Sequence, residues 1–72
     1  LQMTELSVAI GQLIRKQRTQ QSITQESLAL QCGIDRSYMG RIERGEVNLT
    51  VEKLYEIAKI LKIHPQHLLP NF

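Results

Sequence analysis

The sequence predicts an all-α domain of five short helices. Three observations carry that reading. Every periodic apolar segment repeats at helical spacing, and no stretch alternates as a strand would. The breaks between segments hold helix-capping residues and glycines. The 72 residues are 42% apolar, which suits one globular unit.

Leu6, Ile10, Leu13 and Ile14 form the apolar stripe of a first helix over residues 4–20, with Thr4 at its N-cap. Thr24 caps a second helix that carries Glu26 in its first turn, turns Leu28 and Ala29 inward and ends at Gly33. Asp35 caps a third, Arg36 to Arg44, stopped by Gly45. Asn48 and Thr50 open a fourth, Val51 to Lys62, with Val51, Leu54, Ala58 and Leu61 on its stripe. His64-Pro65 starts a short fifth, since proline fits the first helical position. Leu1-Gln2-Met3 is given no structural role.

Composition excludes several classes. No apolar run approaches the roughly 20 residues of a membrane span, and no signal peptide is evident. The single Cys32 cannot form an intrachain disulfide, so a cytoplasmic location is expected. Cys32, His64 and His67 are the only soft ligands, and their spacing fits no zinc pattern. No phosphate loop, Ser–His–Asp set or paired-carboxylate site is recognisable, so neither an enzyme, a cofactor, a metal nor a small-molecule ligand is expected. Cys32 reads as a small residue on the core side of the second helix.

The overall charge is +2, but residues 15–45 hold six basic residues against three acidic ones, and the remainder has three against four. Projected at about 100° per residue, Arg36, Gly40, Arg44, Ser37 and Arg41 share one side of the third helix. Tyr38, Met39 and Ile42 share the other. Gly40, costly by about 1 kcal/mol in a helix interior, falls in the basic arc, where a missing side chain permits close backbone approach. Arginine forks suit phosphate oxygens or the O6 and N7 edge of guanine, although a merely solvated basic face has the same pattern.

The preceding segment favours docking. Ala29 permits a close helix crossing, Gly33 and Ile34 make a sharp turn, and Met39 and Ile42 plug one helix onto the other. This is the packing pattern of a helix-turn-helix over about residues 25–44, whose second helix enters the major groove.

The stretch ITQESLALQCGIDRSYMGRIERGEVNLTVEKLYEIAKILKI closely resembles the lambda-repressor-like, or XRE-type, helix-turn-helix domains, and the likeness runs from about Leu6 to Leu69. Within that family, IDRSYMGRIERGEVNLT looks most like the small controller proteins of restriction–modification systems, which bind DNA as dimers and regulate their own operon. The resemblance implies base-reading positions at Asp35, Arg36, Ser37 and Arg41, with Arg36 best suited to a bidentate guanine contact. Asp35 can accept from cytosine N4 or simply cap the third helix. Gln25 maps to a side chain that touches phosphate and braces the recognition helix, and Thr24 beside it can reach phosphate. Tyr38, Gly40, Arg44, Asn48 and Lys53 are further candidates for the DNA backbone. Val47 departs from the pattern, since many relatives carry a basic residue there. The resemblance also implies an ion pair between Arg18 and Glu43 that links the first and third helices.

The fourth helix has a wide apolar arc. Ile57, Ile60, Leu61, Ile63, Leu68, Leu69 and Phe72, in a region spanning about residues 57–72, either close the small core or bind a second copy. The reading taken is one DNA-binding domain over residues 1–72, working as a homodimer on a pseudo-palindromic operator. The expected partners are duplex DNA, a second copy and, for a regulator of transcription, RNA polymerase. A phage-type repressor, an antitoxin-like regulator and a protein-interaction module on the same fold are the alternatives.

Overall fold

A computed structural model describes residues 3–71. Four α-helices are present: α1 (Glu5–Gln20), α2 (Gln25–Gln31), α3 (Arg36–Glu43) and α4 (Val51–Leu61). No strand occurs among the described residues. The expected fifth helix is instead a single 3-10 turn, Pro65–Leu68. Its brevity has a local cause. Pro70 disfavours helical geometry at the residue before it, and Leu69 is extended at φ −105°, ψ 128°.

Each α-helix begins on a side chain that accepts from the backbone N–H three residues on: Thr4 from Ser7, Thr24 from Ser27, Asp35 from Tyr38 and Thr50 from Lys53. A threonine cap of this kind is worth about 1 kcal/mol against alanine. At the first, the Ser7 hydroxyl also accepts from the Thr4 N–H, closing a reciprocal box. The chain leaves α2 and α3 through Gly33 at φ +70° and Gly45 at φ +81°, the left-handed region that glycine enters without strain.

The core is formed by Ile14, Leu28, Ala29, Met39, Ile42, Leu54, Ile57, Ala58, Leu61 and Leu68. Three residues expected at a dimer surface, Ile57, Leu61 and Leu68, are therefore wholly enclosed within one chain. Ile60 and Ile63 are half-buried against that core, Leu69 is exposed, and Phe72 lies outside the described residues. The apolar side chains that α4 does leave in solvent are Val51 and Tyr55, 70% and 57% exposed.

The first helix also differs from its expected stripe. Leu6 is exposed, and the buried line along α1 is Ser7, Gly11, Ile14 and Arg18. A polar and small-residue line faces inward because α1 packs on the backbone at the C-terminal end of α3. A Cβ on Gly11 would sit 2.5 Å from the Ile42 carbonyl oxygen and 2.6 Å from that of Glu43. Only glycine fits there.

Candidate nucleic-acid interface

Helix α3 is fastened from behind. The Ser7 hydroxyl donates to the buried Gly45 carbonyl at 2.9 Å. Arg18 Nε and Nη2 donate to the two Glu43 carboxylate oxygens at 2.7 and 3.0 Å, and its Nη1 donates to the Ile23 carbonyl at 2.9 Å. Gln25 Nε2 adds a bond to Glu43 Oε1 at 3.1 Å. One carboxylate thus gathers α1, the start of α2 and the end of α3. Both members of the ion pair are buried, and every buried polar side-chain atom among the described residues has a hydrogen-bond partner. Beneath this network Met39 and Ile42 plug into the core.

The opposite side of α3 is open. Asp35, Arg36, Ser37, Arg41 and Arg44 are all exposed, and Tyr38 is half-buried. The Asp35 carboxylate caps the helix. Its Oδ1 accepts the Ser37 hydroxyl at 2.6 Å and the Tyr38 N–H at 3.0 Å, and these bonds, the hydroxyl first, hold its pKa below the usual carboxylate range. Gln25, Arg36, Ser37, Gly40 and Arg44 line a single notch of about 320 Å³ between the start of α2 and the outer face of α3. Exposed Thr24, which caps α2, stands next to Gln25.

Gly40 is not open as the helical projection suggests. It is buried, and a Cβ on it would meet Arg44 Nη1 at 3.0 Å and Gln25 Oε1 at 3.5 Å. The missing side chain makes room for the Arg44 guanidinium to lie across the helix. Asn48 and Lys53 stand apart from the notch. Asn48 borders a separate groove with Thr4, Leu6, Ile10 and Ile42. Lys53 Nζ lies 2.8 Å from Glu56 Oε2, and that hydrogen bond raises the lysine pKa.

Sequence reasoning missed Glu46. Its carboxylate lies 2.7 Å from Arg44 Nε and 3.8 Å from Arg41 Nε. The hydrogen bond from Arg44, and behind it the charges of both arginines, hold its pKa below the usual range. Ser7 and Gly11 were missed as supports of α3, because a serine and a glycine in a helical stripe carry no apolar signal.

Cys32 is half-buried, and burial pushes its thiol pKa up, away from a reactive thiolate. Among the described residues no three His, Cys, Asp or Glu side chains gather as a metal site would require. Likewise no helix there is long and apolar enough to cross a membrane.

Comparison with known proteins places these features. A helix-turn-helix family profile matches residues 14–68. Control protein C.BamHI of Bacillus amyloliquefaciens is 35% identical over 65 residues, spanning 89% of this chain and 80% of that protein. The crystal structure of the restriction–modification controller protein C.AhdI from Aeromonas hydrophila superposes with a TM-score of 0.82 at 40% identity, covering 86% of this chain and 94% of that one. Hydroxypropylphosphonic acid epoxidase from S. wedmorenis also superposes, at a TM-score of 0.85 and 27% identity, but over only 35% of its own chain. The likeness to these two controller proteins thus runs across most of the chain, and the protein belongs to the helix-turn-helix family of DNA-binding transcription regulators.

Proposed function

We propose that the protein is a controller of the restriction–modification type, binding a pseudo-palindromic operator as a homodimer and regulating its own operon. The observation that carries this is the open arginine face of α3, fixed from behind by the Arg18–Glu43–Gln25 network. A recognition helix must be rigid to place its forks on base edges, and this one is bound at both its apolar side and its C-terminal end. Controller proteins among its relatives support the finer assignment.

Arg36, Ser37 and Arg41 are the base-reading side chains, with Asp35 combining a cap and an available second oxygen. Thr24, Gln25, Tyr38 and Arg44 meet the DNA backbone, and Gly40 serves by giving Arg44 room to reach it. Asn48 and Lys53 contact phosphate away from the notch, and Lys53 must exchange Glu56 for phosphate to do so. The second copy docks on α4, where Val51, Tyr55 and Ile63 line an apolar groove of about 650 Å³ bordered by Glu52, Glu56 and Lys59. A contiguous apolar patch rimmed by charge is what an association surface requires. Of the residues expected at the dimer surface, Ile63 lines this groove, Leu69 is exposed, and Ile57, Leu61 and Leu68 lie in the core. A two-fold dimer sets the recognition helices one DNA turn, about 34 Å, apart. RNA polymerase is the further partner, and the cytoplasm the compartment, that this role entails.

Titrating the protein against duplex from its own upstream region, with the mass of the complex tracked, tests the proposal. Two chains per operator and preference over random duplex are expected. Arg36→Ala should relax selectivity at one base pair by about 1–3 kcal/mol. Equal affinity for upstream and random duplex would remove the specific-regulator reading.

A further inference from the structure

One carboxylate, that of Glu46, stands against two arginines of the basic face. Glu46 follows Gly45 directly, and its backbone N–H donates to the Arg41 carbonyl at 2.9 Å. Its carboxylate is therefore rooted at the C-terminal end of α3. From there one oxygen takes Arg44 Nε at 2.7 Å and the other faces Arg41 Nε at 3.8 Å. The Glu46 side chain is 21% exposed, against 49% for Arg41 and 59% for Arg44. Arg44, held at Nε, extends its Nη1 over Gly40 toward the Gln25 side chain. Gly40 and Glu46 thus act together: one gives Arg44 a track across the recognition helix and the other pins it there.

We propose that Glu46 is a specificity-determining positioning residue, which holds Arg44 in the notch and offsets arginine charge that any duplex would otherwise attract. This rests on the DNA-binding reading above. Phosphates are present on every sequence, so an unopposed arginine raises affinity for all of them alike. A carboxylate between two arginines repels a phosphate that approaches either one. It leaves the outward fork of Arg44 aligned with Gln25, Arg36 and Ser37, where a matched operator meets all four groups together. Random duplex loses affinity to the carboxylate, and the operator recovers it through that alignment.

The experiment uses the whole chain and two probes: the duplex that the wild-type protein enriches from a randomised pool, and a scrambled duplex of the same length. Glu46→Gln should bind scrambled duplex about threefold more tightly or better, with a salt slope steeper by about 0.9 per protomer. Its affinity for the enriched site should change less than twofold, so the ratio between probes falls about threefold or more. Glu46→Asp, which keeps the charge, should retain a ratio within twofold of wild type. In an Arg44→Ala background, Glu46→Gln should lower the ratio by less than half as much, since only Arg41 then remains beside the carboxylate. An equal gain on both probes would reduce Glu46 to a contributor of net charge and overturn the proposal. So would an unchanged ratio in the single variant, or an effect of full size without Arg44. Enrichment of no sequence by the wild type would instead defeat the DNA-binding reading, and this proposal with it.

Discussion

Arg18–Glu43 and Arg44–Glu46 are the same interaction in two settings. Each places a guanidinium Nε 2.7 Å from a carboxylate oxygen. The side chains of the first pair are 11% and 3% exposed, and those of the second 59% and 21%. Burial makes the first pair structural. Removing one partner leaves a charge in a low-dielectric interior, with no water to replace what it lost. The second pair borders solvent, where water and salt screen it and a surface ion pair contributes little to stability. It is free to be exchanged when a polyanion arrives. Distance alone does not separate an architectural contact from an exchangeable one; the surroundings do.

The largest effect should come from breaking the buried pair. Arg18→Ala strands the Glu43 carboxylate and is expected to cost about 3–5 kcal/mol, read as a lowered urea midpoint at constant m-value. DNA binding should then be lost in proportion to the unfolded fraction. A loss well under 1 kcal/mol would erase the contrast between the pairs. Next, Arg44→Ala should leave the urea midpoint near wild type while weakening every duplex, the operator most, since only there do Gln25, Arg36, Ser37 and Arg44 engage together. Its salt slope should be shallower by about 0.9.

The smallest effect concerns acid. Asp35 and Glu46 both titrate below the usual carboxylate range in the folded chain, through hydrogen bonds from Ser37 and Arg44 respectively. The unfolded chain therefore takes up protons first as pH falls. Stability from these two groups is complete above an ordinary carboxylate pKa near about 4 and is lost as pH drops through the lowered folded values. Urea midpoints followed into acid should decline over that window. A variant carrying Asp35→Asn with Glu46→Gln should decline less, since asparagine still caps the helix.

Much of the fold was legible because its determinants are local. Thr4, Thr24, Asp35 and Thr50 mark helix starts through bonds spanning three residues, and Gly33 and Gly45 mark stops through a dihedral preference that no tertiary contact must supply. Other features depend on what meets what. Leu6 has the periodicity of a core residue and lies in solvent, because α1 turns Ser7 and Gly11 toward the α3 backbone. Ile57 and Leu61 share the apolar arc of α4 with Val51 and Tyr55, and periodicity cannot divide the arc into the part that fills the chain's own core and the part left outside.

The charge reading of residues 15–45 stopped one position short of Glu46, the carboxylate that faces two of its arginines. Left-handed geometry at Gly45 brings that side chain back onto α3, which a linear charge count does not register. The sequence by itself determined the helix order, the caps, the turn between α2 and α3 and the amphipathic division of α3, since each follows from dihedral preference or a bond within one helical turn. Only the tertiary structure decided which α4 side chains remain outside, why Gly11 is required and where Arg44 rests. Those outcomes depend on atoms distant in sequence competing for the same few ångströms.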